Sequence, residues 1–340
     1  METDSSSKPK RSKLKILGYS VLAFIVVVVS GFFLTLQYYK HQHEATIARL
    51  AERGFHTTME TLNAAHPPVP EAEDAMVVYR AADKEAFADK IQVCSNKEGD
   101  WQCTPYNKRS TDYEPQLFAL LTELEPWEEQ VLAATKLPGL NIAWEENEVY
   151  MGQSQKELSS LRHVMKYLGD QSYAAVLQEK PEEALTWTAA QFRLMEQSES
   201  VQFLIGGMIR NAMASVLLDS VQVALERDTW EGAQLAQVDE LLAVWNPEQM
   251  FTDAMVSEVG YSVILMNKQA VYQGFTGPAM YYIYSGFYDF YDQLIVGDAP
   301  DFTIDRAVLS IDPESQSVFI QIMLPNLQRS ALEVDTITVK

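Results

Sequence analysis

The 340-residue sequence lacks the short motifs that identify the common catalytic sites. It has no G-x-S-x-G nucleophile elbow, no H-E-x-x-H zinc motif, no P-loop and no G-x-G-x-x-G dinucleotide loop. Its five histidines are scattered, and no EF-hand loop accompanies the many carboxylates. The sequence therefore predicts no catalytic, cofactor-binding or metal-binding residues, and an enzyme is the less favoured class of function.

Cysteine is also scarce, with two residues, Cys94 and Cys103, in the segment VCSNKEGDWQC. In an oxidising compartment they are expected to form one disulfide that closes a short loop, worth about 2–3 kcal/mol by chain entropy. A metal site is the alternative, but no histidine or third cysteine lies nearby to complete the ligands.

Positive charge is deficient, with 26 Lys and Arg against 47 Asp and Glu. Residues 1–16 hold five of the basic and two of the acidic residues, so the rest of the chain carries a net charge of −24. Such a surface repels nucleic acid and anionic lipid headgroups, and it favours solubility and cationic partners. No nucleic-acid partner is predicted.

Residues 17–36 are the one long run without a charge, LGYSVLAFIVVVVSGFFLTL. As a helix it spans about 30 Å, the thickness of a bilayer core. The basic residues before it predict a cytoplasmic tail over 1–16 and an extracytoplasmic chain after 36, in the inner membrane of a bacterial envelope. A cleaved signal peptide ending near Ser30 is the alternative, but the apolar run continues past that point.

The remaining chain is predicted to comprise a helical stalk, a hinge and one domain. Apolar residues spaced three and four apart predict that a helix over 40–62 forms most of a stalk over 37–65. The proline-rich segment 66–70 cannot continue a helix and is expected to act as a hinge. Residues 71–340 then form an exported, mainly α-helical domain.

The segment 155–245 carries the pattern of helical hairpins. Pro181 ends one helix and opens the next, and a second break at 225–235 follows a nearly uncharged helix over 201–225. The pattern predicts an irregular, tetratricopeptide-like array, although the full repeat signature is absent. The helix over 201–225 is expected to be the central, enclosed one.

Two sets of residues are candidate binding features. A buried polar pocket is predicted at Arg210, Asn211 and Asp219. Arg210 needs a carboxylate partner, for which Glu196, Glu199 and Asp219 are the candidates near it in sequence, and an anion-binding pocket is the alternative. A second candidate is a stripe of four tyrosines at helical spacing, Tyr281, Tyr284, Tyr288 and Tyr291. The stripe is predicted to bind a peptide or a glycan or to lie at the membrane interface, and packing against the neighbouring hairpin is the alternative.

The anchor, the segment PPVPEAEDAMVVY, the hairpin YAAVLQEKPEEAL and the helix LIGGMIRNAMASVLLDSV together resemble an uncharacterised family of bacterial membrane-anchored, all-helical proteins. The resemblance covers most of 60–330 and rests on diffuse patterns. Family members often continue after a segment like LPNLQRSALEV, so the chain resembles a short or a truncated member. The resemblance implies the helical fold and the anchor, and it implies no reaction.

These features predict a single-pass, membrane-anchored helical scaffold that binds another envelope protein. An envelope hydrolase, or a helical protein that binds lipid or a small ligand, is the alternative. An enzyme requires polar groups that converge near Arg210 and Asn211, whereas a scaffold requires an exposed face for its partner.

Overall fold

Helices dominate the described part of the chain. The computed structural model describes residues 10–58, 60–61, 64, 67–92, 102, 104–109, 113–142, 150–201, 203–246, 295–296 and 303–304. The α-helices are α1 (Lys10–Glu52), α2 (Ala75–Ala82), α3 (Ala88–Lys90), α4 (Glu114–Leu124), α5 (Glu128–Ala134), α6 (Tyr150–Leu177), α7 (Pro181–Gln197), α8 (Phe203–Glu226) and α9 (Ala233–Val244). A π-helical turn, Asp83–Phe87, joins α2 to α3. Short 3-10 helices are Glu71–Glu73, Tyr106–Lys108, Glu125–Trp127 and Ser198–Ser200. A two-residue antiparallel pair joins β1 (Ile295–Val296) to β2 (Thr303–Ile304).

Helix α1 is long and apolar enough to cross a membrane, and the window that meets this criterion has no side chain buried in the protein. Tyr19 and Leu34 are each 71% exposed. Such a continuous apolar surface is costly in water and is stable within lipid. The prediction of a membrane-spanning helix over 17–36 is therefore confirmed in its length and composition.

The helix ends earlier than the sequence pattern predicts, at Glu52 instead of continuing to residue 62. Gly54 adopts a left-handed conformation with φ of 86°. The Phe55 N–H donates to the Leu50 carbonyl at 3.0 Å, and the Gly54 N–H donates to the Ala51 carbonyl at 3.0 Å. This is a Schellman C-cap, which a glycine at this position favours over further helix.

The proline-rich segment that precedes the domain is attached to it at Val69. The Val69 N–H donates to Asn141 Oδ1 at 2.9 Å, and Asn141 Nδ2 donates back to the Val69 carbonyl at 2.7 Å. Asp74 caps α2 by accepting from the Met76 N–H, and it also accepts from the Asn141 N–H. The start of the domain is thus joined to residues 139–141.

Helices α6 and α7 form an antiparallel hairpin, as the pattern around Pro181 predicts. Ser172 Oγ and Thr188 Oγ1, both buried, lie 2.9 Å apart across the hairpin. Pro181 occupies the first turn of α7, where its missing N–H costs no hydrogen bond. The second predicted break also exists, because α8 ends at Glu226 and α9 begins at Ala233.

The central helix of the described part is α6, which packs against α2, α4, α7 and α8. The expectation that the helix over 201–225 is enclosed on all sides is wrong for the described residues. Helix α8 leaves Ala212, Ser215 and Gln222 exposed. A low charge content did not identify the most buried helix, since small side chains such as alanine and serine tolerate water.

Candidate functional site

A row of polar side chains runs along α6 inside the domain. Its members, spaced three, three, three and four residues apart, are Glu157, Ser160, His163, Lys166 and Asp170. Residues at these spacings are neighbours on a helix surface. All are buried except His163, which is partly buried. The row therefore places several charges in the interior, where each one needs a partner.

Two partners come from α2 and the π-helical turn. Arg80 Nε lies 2.9 Å from Glu157 Oε1, and Arg80 Nη2 donates to the Asn141 carbonyl at 2.8 Å. Asp83 begins the π-helical turn, and its two carboxylate oxygens receive Ser160 Oγ at 2.7 Å and His163 Nδ1 at 2.6 Å. A π-helical turn shifts the side chains that follow it relative to a regular helix, and such turns are frequent at functional sites.

Ser160, His163 and Asp83 are the three residue types of a hydrolase triad, but the hydrogen bonds between them follow a different order. In a triad the histidine bridges serine and aspartate, so that it can take the serine proton. Here Asp83 bridges Ser160 and His163, and within the described residues no histidine nitrogen is hydrogen-bonded to the Ser160 hydroxyl. The arrangement orients His163 and does not activate Ser160 as a nucleophile.

The other end of the row binds the segment around the 3-10 helix Tyr106–Lys108. Asp170, which is fully buried, accepts from Lys166 Nζ, and Arg109 Nη1 donates to the same oxygen at 3.2 Å. The Arg109 guanidinium lies 4.3 Å from the ring centroid of Tyr106, whose ring stacks on Tyr173 at 5.0 Å. One carboxylate thus holds two cations that also contact aromatic rings.

The charges and the burial of this cluster set the protonation states of Tyr106 and Arg109. Burial and the carboxylate of Asp170 raise the pKa of Tyr106 well above its ordinary value, with a smaller opposing effect from Arg109. Burial is the largest influence on the pKa of Arg109 and lowers it, but Asp170, Tyr106 and Tyr173 together outweigh burial, so the net direction is upward. The guanidinium therefore stays charged and the phenol stays neutral near pH 7.

Arg109 also fixes the backbone on both sides of Cys103 in sequence. Its Nε donates to the Thr104 carbonyl at 2.8 Å, and its Nη2 donates to the Gln102 carbonyl at 3.2 Å. The Gln102 side chain in turn accepts from the Gln92 N–H at 2.7 Å. The segments that precede Cys94 and flank Cys103 therefore meet. The cysteines themselves lie outside the described residues, and their disulfide stays a prediction.

The three residues of the predicted polar pocket are not equivalent. Arg210 and Asn211 are buried, with Arg210 only 2% exposed, whereas Asp219 is partly exposed. Asp219 follows Arg210 by nine positions, which places them about 13 Å apart along the helix and on opposite faces. The negative charge of Asp219 contributes instead to the raised pKa of Tyr106. The buried polar pocket at Arg210 and Asn211 stays a prediction.

The four tyrosines of the predicted surface, Tyr281, Tyr284, Tyr288 and Tyr291, lie outside the described residues. The polar row on α6 is not among the predictions from the sequence, because its members alternate with a buried apolar stripe, Leu158, Leu161, Met165 and Leu168, that is typical of any packed helix. The spacing of the charged residues is the signal that predicts it.

A surface cleft of about 610 Å³ lies between the α6–α7 turn and the α8–α9 turn. We call it the turn cleft, and its lining residues are Val176, Leu177, Glu179, Pro181, Arg227, Asp228, Thr229, Glu231 and Gln234. It belongs to the surface and is separate from the polar row. Among the described residues, no group of three or more His, Cys, Asp or Glu side chains is arranged to hold a metal ion.

The polar row joins α6 to its neighbours through paired charges, and the turn cleft offers an open surface beside it. Comparison of the chain with protein-family models, with curated proteins and with solved structures finds no match, so its resemblance to the membrane-anchored helical family stays a prediction.

Proposed function

We propose that this protein is a single-pass, membrane-anchored helical scaffold that binds another envelope protein. The observation that carries the proposal is the exposed apolar surface of α1 between Tyr19 and Leu34. A helix with that surface places whatever follows it beside a membrane. The five basic residues of the tail support a cytoplasmic N-terminus and an extracytoplasmic domain.

The interior of the domain supports binding rather than catalysis. The charges of the polar row contact partners on other elements, as in the Glu157–Arg80 and Asp170–Arg109 pairs. Ser160 is hydrogen-bonded to Asp83 in an order that does not generate a nucleophile. The α6–α7 hairpin and the turn before α9 support the finer proposal of an irregular, tetratricopeptide-like array, a type of fold that presents binding surfaces.

Topology can be tested with protease added to spheroplasts of cells that express the full chain. We expect digestion of everything past Tyr39 and protection of a fragment that contains residues 1–36. Survival of the domain in intact spheroplasts, with digestion only after lysis, would overturn the proposed orientation. Release of the full chain by alkaline carbonate would overturn the anchor itself.

The scaffold role can be tested by crosslinking in intact membranes and purification of the full chain. We expect one protein in stoichiometric amount that a matched chain ending at residue 70, with the anchor but without the domain, does not retain. If the full chain retains no protein and instead carries a small molecule through purification, the scaffold proposal is wrong.

A further inference from the structure

The turn cleft is a surface cavity between two helix turns that can hold part of a partner. We propose that it binds a basic segment of a protein partner, with a lysine or arginine side chain inserted between the two turns. This inference rests on the proposed scaffold function and identifies the class of partner and the place where it docks.

Charge is the first reason for this assignment. The lining contains three carboxylates, Glu179, Asp228 and Glu231, against one cation, Arg227, and all four residues are exposed. None of these four side chains forms an ion pair with another residue in the part of the chain that the structure describes. The extracytoplasmic chain as a whole carries −24, so a cationic segment is attracted from a distance and meets unpaired carboxylates in the cleft.

The apolar part of the lining is the second reason. Val176, Leu177 and Pro181 border the same cleft as the carboxylates. Lysine and arginine bury their methylene stems on apolar surface while their charged ends stay among polar groups. A bare divalent cation would gain nothing from this apolar border, and an anionic group would be repelled by the carboxylates. The mixed lining therefore favours a long cationic side chain.

The cleft is also preformed. Gln234 Nε2 donates to Glu182 Oε1 at 2.6 Å and thereby joins the start of α9 to the start of α7 across the two turns. Each turn is closed by a backbone bond that spans five residues, from Lys180 to Ala175 and from Thr229 to Ala224. A cleft whose walls are already in place loses less conformational entropy when a partner binds.

The test uses the full chain in nanodiscs of zwitterionic lipid and a fluorescent eight-residue peptide of alternating lysine and alanine. Binding is followed by fluorescence anisotropy, and a peptide with glutamate in place of lysine serves as the ligand control. The variant Glu179→Gln/Glu231→Gln removes two cleft carboxylates while keeping their shape. The variant Glu125→Gln/Glu129→Gln removes two carboxylates from a separate groove, lined by the 3-10 helix Glu125–Trp127 and by α5, and is matched in charge.

We expect the cleft variant to weaken binding of the lysine peptide about fivefold, since two exposed ion pairs are lost. The matched variant should change binding less than twofold, and both should melt within a few degrees of the parent chain. Equal weakening by the two variants would show general attraction to an acidic surface and would overturn the proposal. An unchanged affinity in the cleft variant, no binding by the parent chain, or displacement of the peptide by magnesium or calcium at equal concentration would also overturn it.

The outcome can be separated from that of the scaffold proposal. If the cleft variant recovers the same partner from crosslinked membranes in the same yield as the parent chain, the docking site is wrong and the scaffold stands. If the parent chain recovers no partner, the scaffold fails, and the peptide measurement still reports whether the cleft binds basic segments.

Discussion

At the scale of single residues, Glu179 and Asp228 end α6 and α8 in the same way. Both have positive φ, 57° and 51°, in the left-handed region that glycine adopts without strain. A residue with a Cβ costs about 1–2 kcal/mol more there. Both residues also line the turn cleft, so two of its carboxylates are carried by residues with a strained backbone conformation.

Replacing Glu179 by glycine should therefore stabilise the domain. We expect Glu179→Gly to raise the free energy of unfolding by about 1 kcal/mol, because glycine relieves the left-handed strain at this C-cap. Chemical denaturation followed by circular dichroism measures the change. Glu179→Ala removes the same carboxylate but keeps a Cβ, and it should shift stability by less than about 0.5 kcal/mol. A similar gain in both variants would assign the effect to charge and not to the backbone.

Gly169 allows the close approach of α6 to the Tyr106 segment. A Cβ built at this position would collide with the Tyr106 hydroxyl and would lie 2.8 Å from Val216 Cγ1. Only a residue without a side chain fits between these groups, and the close approach accompanies the contact of Arg109 with Asp170.

We expect Gly169→Ala to destabilise the domain by about 1–3 kcal/mol through overpacking. Its combination with Tyr106→Phe, which removes the colliding hydroxyl, should cost less than the two single changes added together. Denaturant unfolding of the four proteins provides the double-mutant cycle. Full additivity would mean that Tyr106 is not the group that Gly169 accommodates.

At the scale of elements, Gln197 at the end of α7 joins three helices. Its Nε2 donates to the Ala134 and Leu137 carbonyls at 2.9 and 2.8 Å, and its Oε1 accepts from the Tyr79 hydroxyl at 2.7 Å. Ala134 ends α5, and Tyr79 lies on α2. One buried amide thus connects α7 to residues 63 and 118 positions earlier in the sequence.

Replacing Gln197 by leucine should cost about 2–3 kcal/mol, because it leaves buried polar groups without their partner. The matched control is Gln171→Leu. That glutamine is also hydrogen-bonded to a tyrosine hydroxyl, donating to Tyr167, but within one helix and with access to water. We expect the control to cost less than half as much. Thermal unfolding that shifts equally in both variants would contradict a connecting role for Gln197.

The ends of α6 and α8 can be predicted from the sequence, but the burial of these helices cannot. The breaks at Pro181 and before α9 were predicted correctly, because proline and turn chemistry act locally. The choice of central helix was wrong, because burial of Lys166 and Asp170 depends on Arg109 and Tyr106, some sixty residues away. No local pattern reports whether a charge has a distant partner.

At the scale of the whole molecule, buried tyrosines set an alkaline limit to stability. Burial raises the pKa of Tyr79, Tyr106 and Tyr167 above the ordinary value. Below about pH 10 the phenols are protonated in both the folded and the unfolded chain, and their contribution is fully present. Above it the unfolded chain releases protons that the folded chain retains, so stability falls as pH rises.

We therefore expect the melting temperature to fall steeply above about pH 10, with part of the phenolate absorbance appearing only as helicity is lost. Tyr79→Phe should make this fall shallower. Parallel scans of phenolate absorbance and circular dichroism against pH measure both effects. Ionisation of every tyrosine near pH 10 in a chain that stays helical would contradict the burial of these phenols.

The long apolar N-terminal helix and the helical class follow from the sequence alone. Both rest on properties of contiguous residues: twenty uncharged positions at 17–36, and apolar residues repeating every three to four. The helix breaks at Pro181 and before Ala233 also follow from the properties of contiguous residues. These features need only the local physics of hydration and backbone geometry.

Only the tertiary structure decided which helix is central, which charges are paired and where a surface cleft forms. The Asp83–His163 pair, the Asp170 cluster and the turn cleft each combine residues that lie far apart in the chain. Their formation depends on how whole helices pack, because a buried charge is stable only when packing supplies its partner. The sequence names these residues, and the packing of α6 against α2, α7 and α8 brings them together.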